Sequence, residues 1–245
     1  MRLNNKELYE FFREKGITFL YHANTVSTTM TYLEQRGLLS RGLVEKKGFY
    51  QTPQTSDNDD KVVGVWDDIF LDTTNLHGKF PRQNFYGPVL FCFNIEFLLK
   101  EDYEIWITKN NPWYWINTPN LSDNLKYFQN VSELRVKWEK YEQQKMMVTI
   151  RNTNQSILFD YLDYAYIDRP HIFENSEIFK NMRQILRNLL VEKGYYDKFK
   201  LQECKKESCY CHDNYLKLSN EELRRLFSAK KYLNYKNSLQ KKDLI

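Results

Sequence analysis

The sequence predicts an α+β fold: a mixed β-sheet with flanking helices and a helical C-terminal part. Three observations predict it. Short apolar strands and helical stretches alternate through the first two thirds of the chain. The run "PVLFCFNIEFLL" is continuously apolar, as a strand at a sheet centre is. From Ser176 onward the spacing turns helical, in "EIFKNMRQILRNLLVEKG" and again after Ser219. The 245 residues suit one large domain, or one domain with a helical appendage, with the division expected at 1–175 and 176–245.

The elements follow in order. Leu8, Tyr9, Phe11 and Phe12 mark a first helix that Gly16 stops. "ITFLYH" reads as a buried strand. Asn24 or Thr25 caps a helix over Val26 to Arg36, which Gly37 ends. "LLSRG" is a turn or short strand, "VEKKGFYQT" a strand entering a loop, and "PQTSDNDDKVVG" a polar loop. "VWDDIFLD" reads as a strand and "TTNLHGKFPRQNFYG" as an irregular loop. "YEIWITKNNPWYW" is a strand and turn, "SELRVKWEKYEQQ" is helical, and "KMMVTIRN" and "YLDYAYID" are strands.

Composition narrows the class. Charged residues make up 28% and hydrophobic ones 42%, so the chain is built to bury a core and not to stay unfolded. Aromatics reach 16%, an excess that also offers flat faces for stacking. The net charge of +4 is concentrated in the tail "AKKYLNYKNSLQKKDLI", with five lysines against one aspartate. That tail reads as a solvated helix end or a contact for nucleic-acid phosphates. No apolar run approaches the ~20 residues of a membrane span. The N-terminus is an amphipathic helix and not a signal peptide, so no membrane partner and a cytoplasmic location are expected. Cys92 in an apolar strand and three late cysteines do not make a secreted disulfide framework.

Two stretches carry an ordered set of polar residues. "LYHANT" ends a strand on Tyr21, His22, Ala23 and Asn24, and Gly37–Leu38 follow the next helix. "KGFYQTPQTSD" then offers Gly48, Tyr50, Gln51, Gln54 and Ser56. Here the chain resembles the ADP-ribosyltransferase superfamily, in its histidine-bearing branch, over roughly residues 17–168. The resemblance is to the nucleic-acid-targeting toxins of bacterial toxin–antitoxin and phage-defence systems. Ala23 stands where the family has glycine, and Gln51 where it has phenylalanine.

The resemblance implies a split, strongly twisted sheet over 1–175 with NAD+ as co-substrate between its halves. It implies that His22 and Asn24 hold the ribose, Ala23 the nicotinamide carboxamide through its backbone, and Tyr50 the nicotinamide ring. Ser40 and Arg41 would hold the phosphates, since a guanidinium forks onto a pyrophosphate. Gln51 and Gln54 would complete the pocket. The family's late carboxylate falls in "YEQQKMMVTIRN", where Glu142 or Gln144 is the candidate; glutamine would orient a hydroxyl without stabilising positive charge. An active toxin of this kind implies a neutralising antitoxin protein.

Other residues carry rival readings. Asp67, Asp68, Asp72 and His77 suit the metal site of a nuclease, or Asp72 or His77 a base that deprotonates the incoming nucleophile. Cys204, Cys209, Cys211 and His212 offer soft ligands for zinc at an unusual spacing. Trp113, Tyr114 and Trp115 offer rings to an unpaired base, or pack as an aromatic turn. The expected function is transfer of ADP-ribose from NAD+ to a base of single-stranded RNA or DNA. The rivals are the nuclease and a non-catalytic nucleic-acid-binding module.

Overall fold

In the computed structural model, the described residues are 2–77, 86–100, 103–118, 120–141, 146–171, 173–204 and 210–242. The fold is α+β. Helix α1 (Asn5–Glu14) starts at Asn4, whose side chain accepts from the Glu7 amide, and it buries Leu8, Phe11 and Phe12. Gly16 takes φ +71 and turns the chain into strand β1 (Phe19–Asn24). Thr25 caps helix α2 (Val26–Glu34), which is buried along almost its whole length. Threonines are weak helix formers, yet Thr28 and Thr31 on α2, with the cap Thr25, bond outward and fix a neighbouring segment, as shown below.

Three local expectations are corrected. Helix α2 ends at Glu34 with Gln35 as its C-cap, and the left-handed residue beyond it is Arg36 at φ 53, so Gly37 does not act as the cap. Gly37 instead opens strand β2 (Gly37–Leu38) against strand β7 (Ile157–Leu158). A Cβ there would lie 2.8 Å from the Ser156 Cβ and 2.9 Å from the Ile157 carbonyl oxygen. "SRGLVEK" is not a turn leading to a strand. The Ser40 hydroxyl accepts from the Leu43 amide and starts helix α3 (Arg41–Lys46). "DNDDKV" is helix α4 (Asp57–Val62), with three aspartates in its first turn where the helix dipole favours them.

Strand β3 (Ile69–Leu71) precedes strand β4 (Val89–Asn94), the buried centre of the main sheet. Strand β5 (Ile105–Ile107), short helix α5 (Asp123–Lys126), helix α6 (Val131–Lys137) and strand β6 (Val148–Ile150) follow. After β7 comes strand β8 (Leu162–Pro170). Helix α7 (Glu177–Lys193) closes on a left-handed Gly194 at φ 78. The C-terminal part also contributes a strand, β9 (Phe199–Cys204), before helices α8 (Tyr210–Leu216), α9 (Asn220–Phe227) and α10 (Lys230–Lys242).

A four-stranded sheet runs β1-β4-β8-β9 and a three-stranded one β3-β6-β5. Strand β9 pairs parallel with β8, whereas the other ladders are antiparallel, so the larger sheet is mixed. One face of that sheet packs Phe91, Phe93 and Phe199 into the main core. Glu34 at the end of α2 gathers Lys193 of α7 (2.7 Å), the Tyr232 hydroxyl of α10 (3.1 Å) and Lys236. Two cations at a helix C-terminus also suit its dipole. Among the described residues no helix is long and apolar enough to cross a membrane.

Gly37→Ala should lower the unfolding free energy by about 1–3 kcal/mol, because its new methyl meets β7 backbone. Urea unfolding followed by tryptophan fluorescence measures it; an unchanged midpoint would show that β7 can move aside.

Candidate active site at the split between the two sheets

The two sheets meet at β1 and β3 through one residue pair. The Tyr21 amide donates to the Asp72 carbonyl and the Asp72 amide to the Tyr21 carbonyl, both at 2.8 Å. In an antiparallel ladder the next such pair would join Ala23 to Phe70. It does not form. Instead the His22 ring reaches the Phe70 carbonyl, Nδ1 to oxygen 2.9 Å. The carbonyls of Thr18 and Tyr21 mark the two sides of β1: the first faces β4 and the second faces β3. Ala23 shares the parity of Tyr21, so its N–H and C=O both point into the split. No described residue bonds them there. A buried strand residue left with its amide and carbonyl open is rare, and costly unless something else fills the place.

The carbonyl can only accept, so His22 carries its proton on Nδ1. Its Nε2 then accepts from the Asn24 amide at 3.2 Å. Asn24 also donates to the Tyr32 hydroxyl at 3.2 Å and accepts from the Thr25 amide at 2.8 Å. Tyr32, on the buried face of α2, stands 6.2 Å edge-on to the His22 ring. Burial pulls the His22 pKa down to about 4, offset in part by the Phe70 bond, with the Arg41 charge adding to the fall. Burial pushes Tyr32 up to about 12. His22 is therefore a neutral ring at physiological pH. Sequence reasoning passed over Tyr32; its spacing from His22 across a strand–helix turn means nothing until the helix folds back.

Arg41 opens α3. Its Nη2 donates to the Thr52 carbonyl (3.1 Å) and pairs with Asp57 Oδ1 (2.7 Å), and its guanidinium lies 5.2 Å over the Trp66 ring. Its Nε is buried with no partner. The segment 50–52 is tied to α2 by threonines: Thr31 donates to the Tyr50 carbonyl (2.6 Å), and Thr25 and Thr28 bond the hydroxyl and amide of Thr52. Gln51 donates to the Arg41 carbonyl (3.1 Å), and the Gln54 amide donates to Asp57 (3.1 Å). Ser40 spends its hydroxyl as a helix cap. The Tyr50 ring turns to α10, 6.2 Å from Tyr235, whose hydroxyl donates to the Gly48 carbonyl. The structure thus brings together His22, Ala23, Asn24 and Tyr32 at the split. Arg41 is close enough to act on His22 through space, and no described contact joins the Tyr50 ring to them.

The acidic set separates. Asp68 accepts from the Asn152 amide (2.8 Å) and pairs with Arg151 (3.4 Å), which holds the turn after β6. Burial pushes its pKa up to about 6. The Asp67 carboxylate sits on α3, where a Cβ on Gly42 would meet it at 2.0 Å. His77 is fully buried elsewhere: Nδ1 lies 3.1 Å from Asp168 and Nε2 3.0 Å from the Gly87 carbonyl, and the Tyr215 hydroxyl donates to Asp168 at 2.6 Å. Both ring nitrogens of His77 are committed, so it is no free base. Among the described residues no three His, Cys, Asp or Glu stand together to hold a metal, which corrects the nuclease reading.

Asp72 remains. It is buried beside the split, and burial alone lifts its pKa to about 7. Glu142, Gln144 and Cys209 lie outside the described residues, as does the side chain of Cys204. Cys211 is buried in α8, and His212 is half-buried beside it. Trp113 and Tyr114 are exposed (57% and 43%), whereas Trp115 is buried at 2%.

No family model matches the chain and no curated protein does. Solved structures are similar to it. Thermus sp. 2.9 DarT in complex with ADP-ribosylated ssDNA covers 81% of this chain and 96% of its own, at 11% identity and a TM-score of 0.48. Thermus sp. 2.9 DarT in complex with NAD+ covers 78% and 96%, at 12% identity and 0.42. Thermosipho africanus DarTG in complex with ADP-ribose covers 76% of this chain at 13% identity and 0.44, and this chain spans 50% of it. At this overlap the likeness carries no argument about chemistry, which rests on the residues above.

Asp72 binds its proton more tightly folded (about 7) than unfolded (3.8), so stability is present at low pH and falls as pH rises from about 4 to 7. Asp72→Asn should remove that fall and be more stable than the parent at pH 8, by up to about 4 kcal/mol. Chemical unfolding at pH 5 and pH 8 measures it; equal stability at pH 8 would mean the carboxylate is solvated or paired.

Proposed function

We propose that this chain is an NAD+-dependent ADP-ribosyltransferase whose acceptor is a base of single-stranded nucleic acid. The observation that carries the reading is the open N–H and C=O pair of Ala23 at the split, beside a neutral, oriented His22. A carboxamide matches such a pair with two antiparallel hydrogen bonds, and nicotinamide carries one. This assigns Ala23 the role that the family resemblance implies.

Each remaining group has a physical task. The ribose lies toward His22 and Asn24, with one ring nitrogen and an amide able to exchange their mutual bond for hydroxyl contacts. Arg41, with its Nε unspent, faces the pyrophosphate; Gln51 and Gln54 hold its helix and loop in place. Tyr50 stacks on nicotinamide once its ring turns from Tyr235, and Ser40 acts through the start of α3. When the glycosidic bond breaks, its electron pair leaves with nicotinamide and positive charge grows on the ribose C1′. Glu142 would stabilise that centre by its charge, whereas Gln144 would only orient a ribose hydroxyl. In support, β6 begins at Val148 paired with Leu71, one residue from the Asp72 bridge, so the chain entering β6 arrives at the split. The acceptor base attacks C1′, and Asp72 takes the proton it releases, with a pKa suited to a base near neutral pH. Such an activity is toxic to its own cell, which calls for a neutralising protein partner.

Incubation with NAD+ and a single-stranded oligonucleotide should release nicotinamide and add ADP-ribose mass to the oligonucleotide. His22→Ala should lower kcat/KM for NAD+ by about tenfold or more, the worth of one lost hydrogen bond. Asp72→Asn should suppress transfer more than nicotinamide release. An active parent with an equally active His22→Ala would remove the split from the mechanism.

A further inference from the structure

Strand β1 alternates, and its second face is not covered by the main core. Phe19, Tyr21, Tyr164 and Tyr166 lie there, all only partly buried, over a floor of Ala23, Leu90 and Cys92. Phe19 meets Tyr164 at 5.4 Å between centroids, and Tyr164 meets Tyr166 at 5.0 Å. Lys200 of β9, paired with Tyr166 in the sheet, holds its ammonium 5.9 Å from the Tyr164 ring. Leu76 packs against the same cluster, and at the far end Tyr215 and Asp168 seat α8 on the sheet; among the described residues the rings of Tyr21, Tyr164 and Tyr166 stay partly exposed. Aromatic rings in a row on a four-stranded sheet, with a cation at the edge, form a surface on which successive bases stack.

We propose that a single-stranded nucleic acid docks on this face, its bases stacked on Tyr164 and Tyr166 and a phosphate held by Lys200. The proposal rests on the reading of the chain as a transferase with a nucleic-acid acceptor. Its geometry is continuous with that reading: Tyr21, on this face, is the residue paired with Asp72, so a strand lying across the tyrosines brings a base to the proposed proton acceptor. The exposed Asp163, close enough to act on Cys92 through space, opposes the phosphates.

Binding of a fluorescent 20-nucleotide single-stranded DNA by fluorescence anisotropy tests it, with RNA of the same sequence as the comparison. Tyr164→Leu/Tyr166→Leu, which keeps apolar contact with the floor, should weaken binding about tenfold or more. Lys200→Gln should reduce the salt slope by about one charge, and Asp163→Asn should tighten binding. Acceptor-free nicotinamide release should be unchanged in all three. A folded double variant with parental affinity for both the DNA and the RNA strand would overturn the proposal while leaving the transferase reading intact. Tyrosine-dependent DNA binding without nicotinamide release would overturn the transferase reading and leave the docking face standing.

Discussion

The hydrogen bond from the His22 ring to the Phe70 carbonyl is what the site depends on. Between β1 and β3 one backbone pair forms, and then a side chain takes over the work of the next amide. That substitution keeps the Phe70 carbonyl satisfied while β3 draws away. It also fixes the His22 tautomer and leaves the Ala23 peptide groups facing a gap. A continued ladder would have closed the gap and spent those groups.

Around that break the protein places rigid support. Thr25, Thr28 and Thr31 bind the 50–52 segment to α2, and Arg41 is held from three directions by Thr52, Asp57 and Trp66. These bonds lie in a poorly hydrated interior, where they position more strongly than on a surface. The C-terminal helices reinforce the same region through Glu34. The tail lysines that read as a possible phosphate contact are partly accounted for here: Lys236 neutralises Glu34, and Tyr235 covers Tyr50.

The two faces of the main sheet serve different ends. The inner face packs phenylalanines against α2 and the elements around β7, and is closed. The outer face keeps its tyrosines half in water beside a buried carboxylate. The 16% aromatic content noted in the composition divides between these two uses.

The strand–helix order from Phe19 to Leu38, the central strand β4 and helix α7 were legible because each is long or strongly patterned and carries its own caps. Candidates His22, Ala23 and Asn24 were legible as a group for the same reason: they lie consecutively at one strand end. Strand β9 was not, because "FKLQEC" alternates like a surface segment and its parallel partner lies thirty-four residues upstream, from Phe199 back to Ala165. Helix α3 was not, because it is only six residues long with Gly42 inside it and Gly37 and Gly48 around it, although Ser40 is a plain N-cap. His77 illustrates the limit. The aspartates that precede it in sequence are Asp67, Asp68 and Asp72, yet its ring meets Asp168 and the Gly87 carbonyl, and only chain reversal through β4 and β8 decides that. Local propensity and capping are properties of short stretches and can be read from them. Which carbonyl a histidine reaches, and where two sheets part, depend on contacts between residues far apart in the chain, and those only the tertiary structure sets.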